Sequence, residues 1–116
     1  MQHDPQKFLY DMLDSAKFLI DFTKGRTLED YHGDRGFRSA VERELQIIGE
    51  ALFRLNALNP AVAQRISEHA RVIGFRHVLV HGYDSLDHDV VWAIVQTKLA
   101  ILRGEAETLL RELDEG

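Results

Sequence analysis

Arginine and histidine residues are concentrated between Arg65 and His81. This segment contains three arginines and one glutamate, so its fixed charge is +2, whereas the whole chain has a formal net charge of −5. It also contains His69, His77 and His81. An arginine can hold phosphate oxygens through its planar guanidinium, and a histidine exchanges protons near neutral pH. The segment therefore predicts chemistry on an anionic substrate, and a phosphodiester is the candidate.

The end of this segment has its polar side chains at defined intervals. It reads Arg76-His77-Val78-Leu79-Val80-His81-Gly82-Tyr83. Five residues turn an ideal helix by ~140°, so Arg76 and His81 would not share a face of one unbroken helix. Gly82 is expected to end the helix in a left-handed conformation and to leave His81 at its C-terminal cap. Something beyond a straight helix must therefore bring the two side chains together.

Apolar residues that recur every three or four positions predict that helices carry these side chains. Asp4-Pro5 is typical of a helix start, and the stretch from Asn56 to Pro60 is typical of a break between helices. The predicted helices cover residues 5–25, 37–55, 60–66, 68–81 and 88–113, and residues 27–36 form a connection that can hold one helical turn. No stretch alternates between apolar and polar residues as a half-buried strand does.

The fold class that follows is all-α: an up-and-down bundle of about four main helices with short extra helices. All 116 residues are expected to form one domain. Gly49, inside the second main helix, predicts a neighbouring helix packed close against it, because glycine there costs up to ~1 kcal/mol relative to alanine. Val91, Ile94 and Ile101 widen the apolar face of the last helix. The first helix also has such extra apolar width, and the two wide faces predict a further buried contact, for which a homodimer is the expected form.

The composition excludes several classes of function. Apolar residues make up 45% of the chain and charged residues 28%, which is typical of a folded protein. The absence of cysteine excludes disulfides, thiolate metal sites and a cysteine nucleophile. The negative net charge argues against a broad nucleic-acid-binding face. Without a membrane-spanning run or the features of a signal peptide, the chain is expected to be a soluble, cytoplasmic protein with no membrane contact.

The motif from Arg76 to Tyr83 resembles that of the HEPN superfamily, and within it the HepT-like toxins encoded beside a minimal nucleotidyltransferase antitoxin. The run Ala40-Val41-Glu42-Arg43-Glu44-Leu45-Gln46-Ile47-Ile48-Gly49-Glu50-Ala51 is similar to the second-helix signature of that family, and Val91-Trp92 also fits. The resemblance covers nearly the full chain. One position differs, because the residue after the arginine is often asparagine in these toxins and is His77 here.

The resemblance implies a metal-independent ribonuclease without a cofactor, working as a homodimer whose two motifs line one cleft. His81 would abstract the proton of an RNA 2′-hydroxyl or protonate the leaving oxygen, and Arg76 would stabilise the charge that develops on phosphorus. The products would be a 2′,3′-cyclic phosphate and a 5′-hydroxyl. His77 and Glu50 are the expected supporting residues. Tyr83 is the implied hydroxyl to which the partner nucleotidyltransferase transfers AMP to silence the toxin.

Other interpretations stay open at this point. Arg76 also fits a structural ion pair with a carboxylate of the second main helix, and Glu50 fits an exposed pair with Arg54 four residues later. His77 and His81 have a spacing that can hold a metal ion, but Asp84 would have to be the third ligand and no zinc signature is present. For the whole chain, the alternatives are a catalytically inactive binding module that docks a nucleotidyltransferase, and a purely structural helical dimer.

Overall fold

The computed structural model describes residues 4–82 and 86–115, and their backbone forms seven helices. They are α1 (Pro5–Phe22), α2 (Leu28–Gly33), α3 (Arg35–Leu58), α4 (Pro60–Ala63), α5 (His69–His81), α6 (His88–Thr97) and α7 (Leu99–Glu115). No strand occurs in these two ranges. The predicted all-α bundle is confirmed.

The long helices α1, α3 and α7 form the centre of the bundle. α1 packs against both α3 and α7, α5 packs against α3, and α2 lies on α3 and α6. The most enclosed side chains of this centre include Leu9, Met12 and Leu19 from α1 and Leu52 and Leu55 from α3. Burying each such side chain contributes about 1.5–3 kcal/mol, so the packing of α1 on α3 contributes a large part of the stability.

Side-chain caps explain where several helices begin. The carboxylate of Asp34 accepts a hydrogen bond from the backbone N–H of Phe37, and α3 consequently begins at Arg35, two residues before the predicted start. In the predicted connection, the side chain of Thr27 accepts from the N–H of Asp30 while the carboxylate of Asp30 accepts from the N–H of Thr27. This capping box stabilises α2, a helix of six residues where one turn was expected.

The last predicted helix is divided in two at Lys98. The backbone there has φ −109°, well outside the usual helical value, and α6 ends one residue earlier. The hydrogen-bond ladder nevertheless crosses the break, because Lys98 N–H donates to Ile94 and Leu102 N–H donates to Lys98. The apolar spacing continues across this position, so sequence periodicity alone could not reveal the change. The prediction of one continuous helix was wrong in this respect.

Polar contacts fasten the start of α5 to α7. Arg65 donates through both terminal nitrogens to the two carboxylate oxygens of Glu112, each at 2.7 Å, and Ser67 donates from its backbone N–H and its hydroxyl to Glu105. Glu68, which has a left-handed φ of 56°, pairs with Lys98 at 3.2 Å. These contacts, which we call the α5 tether, hold the turn before α5 in a conformation that is unfavourable for glutamate.

Helix α5 itself contributes little to the core. Leu79 is its one buried residue, whereas Val78 and Val80 are exposed and Ile73 and Phe75 are half-buried. The helix that carries the motif is therefore held by the α5 tether and by its packing on α3 rather than by deep burial.

Across the described ranges, no helix is long and apolar enough to cross a membrane.

Candidate active site

Arg76 lies on the side of α5 that faces α3. Its Nη1 donates to Oε2 of Glu50 at 2.8 Å, and its guanidinium carbon lies 4.5 Å from the centre of the Phe53 ring. The side chain is 23% exposed. The ion pair and the stacked ring fix two different parts of the guanidinium, so Arg76 is held in one orientation with part of its surface open to solvent.

Gly49 makes this position of Arg76 possible. A Cβ atom at Gly49 would lie 2.6 Å from the Cβ of Arg76 and 3.3 Å from its Cα. Real Cβ atoms essentially never approach so closely, so any side chain here would push α5 away from α3. The prediction that a neighbouring helix packs close to Gly49 is confirmed, and the neighbour is the arginine of the motif.

Glu50 binds two arginines at once. Its Oε1 accepts from Nε of Arg54 at 3.0 Å, while its other oxygen accepts from Arg76. The hydrogen bond from Arg54 and the positive charge of Arg76 lower the pKa of the Glu50 carboxyl, although partial burial opposes them. Two guanidinium groups against one carboxylate leave one positive charge at this place. Both interpretations of Glu50 are thus structurally correct, and its supporting role in catalysis stays a prediction.

Phe53 is the residue near Arg76 that sequence reasoning missed. Its ring is 45% exposed and lies off the buried stripe of α3. The available signal was its spacing, because Phe53 follows Gly49 by four residues and the two therefore share one face of the helix. A face that presents a glycine and then an aromatic ring is shaped to receive a long side chain. Here that side chain is Arg76.

His81 is the last residue of α5, and His77 precedes it by one helical turn. Their ring centres are 4.7 Å apart with an angle of 50° between the ring planes, and both side chains are exposed. Within residues 4–82 and 86–115, no hydrogen bond or ion pair joins His81 to Arg76, in keeping with their offset around the helix. The chain thus brings His81 to His77 and Arg76 to Glu50, but it does not bring the two pairs into contact.

The end of α5 differs from the prediction. Gly82 has φ −112°, and its N–H donates to the carbonyl of Val78 at 2.8 Å. The expected left-handed conformation is therefore wrong. The helix ends on an ordinary hydrogen bond to the carbonyl four residues earlier, and a residue of any type with a backbone N–H could make this bond. Tyr83 and Asp84 lie outside the described residues. In the parts of the chain that are described, no three histidine, aspartate or glutamate side chains group together as a metal site.

Apolar side chains are exposed on both α3 and α5. Phe53 and Leu58 on α3 and Val78 and Val80 on α5 are all exposed. On α6 and α7 the predicted widening of the apolar face has a different outcome at each position: Val91 is fully buried, Ile94 packs partly against the same core, and Ile101 is half exposed. Part of the widened apolar face is therefore buried in the core of the chain itself, and the homodimer stays a prediction.

Comparison with known proteins gives a consistent result. The family described as "Ribonuclease HepT-like" matches residues 12–109. A Methanocaldococcus jannaschii protein named "Putative RNase MJ1380" is 33% identical over 91% of this chain and 96% of its own length. A Thermococcus cleftensis protein named "Probable ribonuclease HepT" is 31% identical over 94% of this chain and 98% of its own. No solved structure matches the chain significantly.

Proposed function

This chain belongs to the HepT-like ribonuclease family, and we propose that it is an endoribonuclease toxin that cleaves RNA without a metal ion. The observation that carries the proposal is the arrangement on α5. An arginine is held in place by Glu50 and Phe53 on the same helix as an exposed histidine at the helix end. These two groups are the ones that transesterification of RNA requires.

In the proposed reaction, His81 takes the proton of a ribose 2′-hydroxyl. The 2′-oxygen then attacks the adjacent phosphorus, the bond from phosphorus to the 5′-oxygen breaks, and the leaving 5′-oxygen takes a proton from water. Arg76 stabilises the additional negative charge on the phosphate oxygens in the transition state. Its fixed orientation matters because a donor that is already positioned need not be reorganised during the reaction. Glu50 and His77 act as supporting residues, Glu50 by orienting the guanidinium.

We further propose that the working enzyme is a homodimer. Within one chain Arg76 is directed toward α3 and His81 lies ~140° away around α5, so one protomer presents its two groups in different directions. A second protomer packed against the exposed apolar side chains of α3 and α5 would place its own motif across a shared cleft. The exposed Phe53, Leu58, Val78 and Val80 support such a contact.

The cleavage chemistry can be tested on a short RNA in buffer that contains EDTA. We expect fragments with a 2′,3′-cyclic phosphate and a 5′-hydroxyl, identified by mass spectrometry, because the nucleophile belongs to the RNA itself. A matched RNA with 2′-deoxyribose at the cleaved position should resist. Cleavage of that deoxy substrate, or fragments with a 5′-phosphate, would show that water rather than the 2′-hydroxyl attacks. An absence of cleavage by the dimer would favour the inactive docking module, for which Arg76 serves only as an ion pair.

For control of the toxin, we propose that a partner nucleotidyltransferase transfers AMP to Tyr83, two residues after His81. Incubation with the cognate enzyme, ATP and Mg²⁺ should add AMP at Tyr83 and stop cleavage, since the adduct adds bulk and a negative charge beside a site for RNA phosphate. Tyr83→Phe should keep its nuclease activity and escape silencing. Peptide mass spectrometry gives the position. Modification at Tyr10, whose ring is half exposed, or at Tyr31 would contradict the assignment.

A further inference from the structure

The two exposed histidines at the end of α5 have the separation of a metal chelate. Zinc binds imidazole nitrogen at about 2.0–2.1 Å, which places the ion about 3.2 Å from each ring centre. If the directions from the ion to the two rings make an angle between 90° and the tetrahedral angle, the ring centres lie about 4.5–5.2 Å apart. The ring centres of His77 and His81 are 4.7 Å apart. The residues are one turn apart on α5, so the backbone already holds the two rings at the separation that a shared ion requires.

We propose that His77 and His81 form a two-histidine site for a divalent transition-metal ion such as Zn²⁺, and that the bound ion inhibits the ribonuclease. The inhibitory part rests on the proposed function, in which His81 is the general base. An imidazole uses the same lone pair to accept a proton and to bind a metal ion. A metal-bound His81 therefore cannot take the proton of the 2′-hydroxyl.

The surroundings of the pair favour a weak and reversible site. Both rings are exposed, so an ion reaches them without opening the fold. The neighbouring guanidinium of Arg76 is directed toward α3, where it pairs with Glu50. Two protein ligands leave the remaining coordination positions to water, which gives lower affinity than a structural zinc site with four ligands. Mg²⁺ prefers oxygen ligands and is not expected to bind here.

The second close pair of histidines provides a comparison. The ring centres of His32 and His88 are 5.6 Å apart, which is outside the range for a shared ion, and Nε2 of His32 is already 2.8 Å from a carboxylate oxygen of Asp89. Engaging an ion there would require His32 to give up that partner. The geometry therefore assigns the site to the end of α5.

The metal site can be tested by calorimetric titration of ZnCl₂, NiCl₂ and MgCl₂ into the full chain without a polyhistidine tag. We expect one Zn²⁺ or Ni²⁺ per chain and no binding of Mg²⁺. His77→Asn should weaken Zn²⁺ binding at least tenfold, whereas His32→Asn and His69→Asn should leave it unchanged. An absence of Zn²⁺ binding, or equal binding by His77→Asn, overturns the site. Loss of binding in His32→Asn instead would place the ion at the other pair.

Inhibition is measured separately, as the Zn²⁺ concentration that halves the cleavage rate of each variant relative to its own rate in EDTA. This concentration should rise at least tenfold for His77→Asn, and EDTA should restore full activity to the unmodified chain. Zn²⁺ binding without loss of cleavage would overturn the inhibitory role. If the metal-free chain cleaves no RNA, the proposed function and the inhibitory role fail together, while the calorimetry still decides whether the metal site exists.

Discussion

Replacing His81 with alanine should lower the rate of RNA cleavage by at least about 100-fold and leave the fold intact. General acid–base catalysis by a positioned side chain contributes about 10²–10⁴-fold, and His81 is the proposed source of that effect. The side chain is exposed at the end of α5, so its removal leaves no cavity in the core. Cleavage of a labelled RNA gives the rate, and circular dichroism with thermal melting reports the fold.

His69→Ala is the matched control for this prediction. It changes the same residue type on the same helix, but at the opposite end, about 18 Å away along the helix axis. We expect His69→Ala to cleave RNA at close to the original rate. Equal cleavage by the His81→Ala protein would remove the histidine from the mechanism. An equal loss in both variants would point to a general effect of altering α5 rather than to proton transfer.

Gly49→Ala should destabilise the protein and also lower its activity. The added methyl group would stand 2.6 Å from the Cβ of Arg76, and overpacking of this kind costs about 1–3 kcal/mol. Because the clash is with Arg76, relief requires α5 and its arginine to move away from α3. A displacement of about 1 Å can reduce catalysis about 100-fold. Urea denaturation gives the change in the free energy of unfolding, and RNA cleavage at a temperature where the variant is folded gives the change in rate.

Gly74→Ala provides the control, because Gly74 lies inside α5 and a Cβ there would meet no atom within 4 Å. Both substitutions gain the same helix propensity, up to about 1 kcal/mol, so the difference between them isolates the contact with Arg76. We expect Gly74→Ala to be stabilised and fully active. A stable, active Gly49→Ala protein would mean that α3 and α5 adjust to each other easily and that Arg76 is less tightly held than its contacts indicate.

The helices could largely be predicted from the sequence because α1, α3 and α7 each bury one apolar stripe. The ends of the helices were harder to predict from the sequence. The start of α3 depends on a hydrogen bond from Phe37 to Asp34, and the division at Lys98 changes one φ angle without interrupting the apolar spacing. The prediction of a left-handed backbone at Gly82 failed because glycine permits that conformation but does not require it.

For the site, residue types and spacing indicated Arg76 and His81, and the structure adds what surrounds the arginine. The contact between Gly49 and Arg76 joins positions that are far apart in the chain, so it depends on how α5 packs on α3. The glycine predicted only that some helix would approach. Phe53 was missed because an exposed aromatic off the buried stripe looks like an ordinary surface residue until the guanidinium beside it is known.

The shallow burial of α5 separates its stability from that of the bundle. With Leu79 as its one buried residue, α5 can detach at a lower free-energy cost than the unfolding of α1, α3 and α7 together. The α5 tether holds the beginning of the helix, so such an opening would start at the end that carries His81. The temperature at which the enzyme is inactivated should accordingly lie below the temperature at which the bundle melts, with a functionally silent but still compact state between them.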